Sequence, residues 1–233
     1  MRYRVIPCLV VAATVAASAV QASTVRTWVK LRGVGGEAAS YSYSVGALGL
    51  TVSGYNQAGG VLGDSAVIDK RRNGIGVKST GEAWGALDGR GSPEMVYLSF
   101  DRQVKIKQVI VSFLDEKDDL VFATYNGSVL SGVTTGIDFD PKRSGDGLFN
   151  GDSRDIGAAR LGPARQMKGQ YFGLGADGAD DQFKIVSLKV AYNDGQPHVS
   201  VPDDPSPVPL PAGGLLLLGG LGGLGLTRFR RRS

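Results

Sequence analysis

The stretch QFKIVSLKVAY, residues 182–192, decides the fold class. Phe183, Ile185, Leu188 and Val190 alternate with polar side chains, the two-residue period of a strand lying half-buried on a core. The alternation changes parity between Ile185 and Leu188, which predicts a β-bulge near Ser187. VKIKQVIVSF, residues 104–113, starts the same way and then turns wholly apolar, as a strand does when one end is buried deeper. WVKL (28–31), LGLTV (48–52), MVYLSF (95–100) and LVFATY (120–125) are further short runs bounded by Gly, Ser or charged turns. Asn126-Gly127 directly after the last of these is a strong hairpin signal. No segment carries a long helical period. Residues 23–193 therefore read as one all-β domain, a two-sheet β-sandwich of jelly-roll type.

The two ends read differently. Arg2 and Arg4 precede an apolar stretch over residues 5–20, and Val20-Gln21-Ala22 fits the small-residue rule for signal cleavage. Residues 1–22 are thus expected to be a secretory signal peptide, cut between Ala22 and Ser23. Cys8 is the single cysteine and leaves with it, so the exported chain must be held by its core or by metal ions. Residues 194–207 are polar and Pro-rich, a linker that also contains the single histidine, His198. Residues 208–233 open with Val208-Pro209-Leu210-Pro211-Ala212, continue as a Gly/Leu run and close with Arg228, Arg230, Arg231 and Arg232. The apolar run falls short of the roughly 20 residues of a full membrane span. The arginines would act as a stop-transfer block on the cytoplasmic side.

Processing at both ends would change the charge. The formal net charge is +4, from 26 Lys and Arg against 22 Asp and Glu. Two arginines leave with the signal and four with the tail, so 20 basic residues would face the same 22 acids, about −2. A net basic balance confined to the ends gives no reason to expect a nucleic-acid partner.

The C-terminal tail resembles the VPLPA-type variant of the PEP-CTERM sorting signal of Gram-negative bacteria, matching its short motif letter for letter at residues 208–212. That resemblance implies a signal peptidase and an exosortase as processing partners. It also implies an inner-membrane intermediate, then release or attachment at the cell surface or in an extracellular layer. A looser resemblance covers residues 73–192. NGIGV (73–77), LDG (87–89), EMVYLSFD (94–101), the acids of 115–119, YFGLGA (171–176) and DDQF (180–183) are similar to exported PEP-CTERM cargo domains. It implies a sandwich often compared with carbohydrate-binding modules, and no enzyme.

Two acid clusters are the candidate metal site. Asp115, Asp118 and Asp119 lie between two expected strands; Asp177, Asp180 and Asp181 precede the last one. Calcium takes six to eight hard oxygens, and loop carboxylates supply them, with Asp88 and Glu94 joining if the loops converge. The competing reading is a set of solvated turn residues. Trp84, in a Gly-rich loop, and Tyr97 are the candidate ligand-binding aromatics, since an aromatic face with a polar rim stacks on sugars. The competing reading for both is packing. The G-x-G-x-x-G matches at 173–178 and 220–225 lack the strand-then-helix setting that dinucleotide binding needs. Without a cysteine, and with one linker histidine, no nucleophile–base pair is expected. The expected function is a non-catalytic structural or carbohydrate-binding component of an exopolysaccharide or biofilm layer. The alternatives are a secreted glycan-active enzyme with paired carboxylates and a permanently membrane-tethered envelope protein.

Overall fold

The computed structural model describes residues 23–195, apart from 59, 80, 83, 84, 92, 144–150, 152, 162–167 and 177. The expected signal peptide, the sorting tail and nearly all of the linker lie outside the described residues. Fourteen strands are found among the described residues: β1 (Thr24–Lys30), β2 (Gly36–Ala38), β3 (Ser40–Val45), β4 (Leu48–Ala58), β5 (Val61–Arg71), β6 (Gly74–Lys78), β7 (Leu87–Asp88), β8 (Glu94–Ser112), β9 (Asp119–Asn126), β10 (Val129–Asp138), β11 (Asp140–Arg143), β12 (Ile156–Arg160), β13 (Lys168–Ala176) and β14 (Gln182–Asn193). The domain is all-β, as expected, and among the described residues no helix is long and apolar enough to cross a membrane.

β8 organises the rest. Its first half pairs with β4 on one side and β13 on the other; its second half pairs with β14 and β12. β4, β5, β6 and β14 then close back onto β8, so five strands form a ring. β13, β9 and β10 extend the sheet from the first half, and β11 joins through β12. β1 lines β14, β3 lines β4 and β2 lines β5. Strands that a two-sheet arrangement would divide between layers are therefore joined in one hydrogen-bonded network.

The inward row of β8 explains the core. Val96, Leu98, Phe100, Val104 and Ile106 face Leu50 and Val52 of β4, Ile75 and Val77 of β6, Phe172 and Leu174 of β13, and Ile185, Leu188 and Val190 of β14 in one apolar cluster. The Phe172 ring lies 6.0 Å from Phe100 and 5.7 Å from Phe122. Burying such side chains stabilises the fold by about 2–3 kcal/mol each.

Two irregularities keep that row in register. Ile185 pairs with Val111 but Ser187 with Ile110, so Val186 is the extra residue of a bulge, the parity change expected beside Ser187. Lys189 pairs with Gln108 but Val190 with Ile106, which leaves Lys107 bulged out of β8. The second bulge lets both Ile106 and Val109 point inward although they differ in parity.

Arg102 interrupts the apolar row without breaking the strand. Its side chain is sealed from solvent, with Nε 3.2 Å from Asp101 Oδ1, Nη2 donating to the Ala47 carbonyl and the guanidinium 5.4 Å from the Tyr192 ring centre. Asp101-Arg102-Gln103 thus continues β8 where the sequence suggests two separate strands.

Candidate functional site

The Lys107 bulge sits in a basic face. Outward positions form cross-strand rows: Arg26, Ala191, Lys105 and Lys168 in one, Trp28, Lys189, Gln108 and Arg160 in the next. A groove of about 360 Å³ is lined by Arg26, Lys105, Lys107 and Lys168 with Tyr192 and Asn193. A second, of about 500 Å³, shares Arg26 and Lys107 and adds Arg160 and Lys189. Farther along the same strands a third hollow takes in Arg32, Arg71 and Arg72. From Arg26 to Arg32 the near-extended chain spans about 20 Å. Desolvation, then the charges of Lys105 and Arg26, push the Lys107 ammonium below the ordinary lysine range. Trp28 is exposed in this face, with Lys189 Nζ 5.6 Å from its ring centre. Asp140 approaches Arg160 at 3.9 Å, both well exposed. The arrangement is a cation-rich surface that also presents Trp28, suited to an extended polyanion.

The two expected acid loops meet. Gln182 of β14 pairs with Asp88 of β7, and the turns at 115–119 and 178–182 interlock. Asp118 accepts the Asp115 amide on one oxygen and the Gln182 amide on the other, each at 2.6 Å. Asp181 accepts the Asp119 amide at 3.1 Å and the Gly178 amide at 2.5 Å. These two carboxylates fasten one loop to the other through backbone N–H groups. Burial, with Asp115 and Asp181 adding like charge, raises the Asp118 carboxyl to about 7 against the pull of its two amides. Asp115 is half-buried, Asp119 likewise, and Asp180 is exposed. Asp177 lies outside the described residues.

Trp84 also lies outside them. Tyr97 is half-buried on the outer face of β8, stacked on Tyr171 at 6.1 Å, edge-on to Tyr125 and Tyr55, with its hydroxyl donating to the Gly127 carbonyl at 2.6 Å. Desolvation drives the Tyr97 phenol upward. Tyr97 therefore serves as the centre of a tyrosine cluster, and its ring faces are shared with neighbours.

Glu82, Asp88 and Glu94 converge at the end of the ring where β6 passes to β8, with one carboxylate oxygen from each lying within 4.8 Å of the others. Glu94 is 1 % exposed and begins the inward row of β8. The Ser79 hydroxyl donates to its Oε1 at 2.6 Å, while Oε2 has no hydrogen-bond partner among the described residues. The Ser79 amide donates to Glu82 Oε2 at 3.1 Å, and the Arg90 amide to Asp88 Oδ1 at 3.1 Å. Desolvation raises the Glu94 carboxyl to about 8; the Ser79 hydroxyl opposes this, the Glu82 and Asp88 charges add to it, and the nearby Asp88 main-chain amide lowers it.

Sequence reasoning missed the basic face because its charges come from five strands and meet only through their register. Lys105 and Lys107, at alternate positions of one strand, were the visible signal. Asp88 and Glu94 were named as conditional partners of the acid loops, whereas Glu82 was not. No family model matches the chain, and no curated protein matches it significantly.

Proposed function

We propose that the protein is an exported, non-catalytic component of an acidic exopolysaccharide layer, which it binds through the face built on β1, β14, β8, β12 and the start of β13. The observation that carries this reading is the clustering of Arg26, Lys105, Lys107, Arg160, Lys168 and Lys189 on adjoining strands of a chain whose processed form would be net acidic. A polymer carrying repeated carboxylates meets such a strip at several points, and release of counterions would make the affinity fall steeply with salt. Trp28 offers a stacking surface within the same strip. The jelly-roll-like scaffold and VPLPA-type sorting through an exosortase belong to this reading. The glycan-active alternative is less favoured, since Asp88 and Glu94 are buried and give a sugar ring no access.

Two measurements test it. Co-sedimentation in EDTA with alginate, a polyuronate, should exceed that with neutral dextran. It should fall at least tenfold between 50 and 300 mM salt, on the order expected for several screened contacts, and be lost in the K105E/K107E/K189E variant. Equal pelleting with dextran would remove the polyanion reading. Intact mass of the protein recovered from outside the cell should show Ser23 as the first residue and loss of the four terminal arginines; an uncut tail would instead favour the tethered alternative.

A further inference from the structure

We infer that Glu82, Asp88 and Glu94 form a binding site for one hard divalent cation of the calcium class, which fastens the 79–93 segment to the end of the strand ring. The inference does not depend on polysaccharide binding.

Three carboxylates brought within 4.8 Å repel one another, and two of them, Asp88 and Glu94, are withdrawn from water. A cluster of acids alone would mean little, but Glu94 adds a separate observation. Its Oε2 is sealed and lacks a hydrogen-bond partner among the described residues, and Glu94 itself belongs to the converging set. An unsatisfied buried carboxylate oxygen costs roughly as much as an unpaired buried polar group, and more when charged. A cation shared by all three acids removes both the repulsion and the vacancy in hydrogen bonding.

Ligand chemistry selects the metal. Among the described residues every donor at the site is oxygen: three carboxylates and the Ser79 hydroxyl 2.6 Å from Glu94 Oε1. An all-oxygen, carboxylate-rich set with no imidazole or thiolate suits calcium, with water filling the remaining positions of its six to eight. The site also has a mechanical purpose. The connection from β6 to β8 is held to the body by the Val77–Ala86 bridge, the Gly85 amide on Asp69 and the pairing of β7 with β14. A cation on Glu82, Asp88 and Glu94 would tie its beginning, middle and end together.

The test uses the full chain, stripped with chelator and titrated with calcium by calorimetry, alongside melting curves in calcium and in EDTA. One calcium should bind, and the melting temperature should rise by about 5 °C at calcium one hundred times its dissociation constant. Magnesium should give a smaller shift. E82Q, at the most accessible ligand, should fold as the parent does and lose at least tenfold in calcium affinity. E94Q should abolish binding, and its own stability in EDTA should equal or exceed that of the parent. No heat and no shift in the parent would overturn the inference. So would binding that E82Q and E94Q leave unchanged but D180N weakens, since the metal would then sit on the 115–119 and 178–181 turns.

Discussion

The Asp69 carboxylate and the Lys184 ammonium meet 3.0 Å apart with both side chains sealed from solvent, across 115 positions of chain. Asp69 lies on β5 and Lys184 on β14, with β6 between them. Arg71 Nε sits 2.6 Å from the other Asp69 oxygen, and the Gly85 amide adds a third contact at 3.2 Å. Burial alone would raise the Asp69 carboxyl, but Lys184, the Gly85 amide and Arg71 together hold it below the usual carboxylate range.

Removing one partner should therefore be costly. Lys184→Met leaves a buried carboxylate with less compensation and should destabilise the fold by about 3–5 kcal/mol in chemical denaturation. Asp69→Leu with Lys184→Met together should cost less than either alone, because the pair is removed as a unit. A Lys184→Met penalty under about 1 kcal/mol would show that Arg71 suffices.

Asp118 gives a pH dependence of the opposite sense from Asp69. Its folded carboxyl is raised to about 7, from an ordinary value of 3.8. The native state therefore holds a proton that the unfolded chain has lost across that window. Its contribution is fully present below the unfolded value and is lost as pH rises through about 7. With chelator present, the melting temperature should fall between pH 5.5 and 8. Asp118→Asn should reduce that slope to the part contributed by Glu94, whose carboxyl is raised to about 8, while lowering stability by about 1–3 kcal/mol, since its NH2 faces a backbone N–H. An unchanged slope in that variant would assign the dependence to another group.

Gly76 is required by contact rather than by conformation. A Cβ there would come 2.6 Å from Ala86 Cα and 2.7 Å from the Gly85 carbonyl oxygen, both main chain. Gly76→Ala should cost about 1–3 kcal/mol and, by pushing Gly85 away, weaken its hold on Asp69. Amide exchange at Gly85 should accelerate more than exchange in β9; uniform acceleration would mean that the whole domain was destabilised instead.

The strands legible in the sequence were those whose pattern is local. The alternation of 182–192, its bulge and the Asn126-Gly127 hairpin could be read because adjacent side chains report them. β8 was harder: Asp101-Arg102-Gln103 looks like a turn, and only the partners of Arg102, from residues 47, 101 and 192, make it a strand. SYSYSV, residues 40–45, alternates as cleanly as any, but what its tyrosines face is set by tertiary partners. In the fold Tyr41 and Tyr43 hydrogen-bond to Gly36 and Leu31 carbonyls and pack beneath Lys70. The acids at 115–119 and 177–181 are legible in the sequence as two turn clusters, but that the turns interlock, and which oxygens accept amides, is fixed by tertiary contact. The basic rows depend wholly on strand register, which composition does not encode.

The pairing of Thr24 with Asn193, with a final rung from the Asp194 amide to the Ser23 carbonyl, puts both exits of the domain at one end of the same antiparallel pair. A load applied through the chain beyond Asn193 would reach that rung first. It would meet the bonds between β14 and β1 one at a time, as a peeling force, rather than all at once in shear. A polymer lying across Arg26, Lys105 and Lys189 would bridge β1, β14 and β8 just ahead of that front. It would act as a clasp, so that grip on the polymer and resistance to being pulled open would rise together.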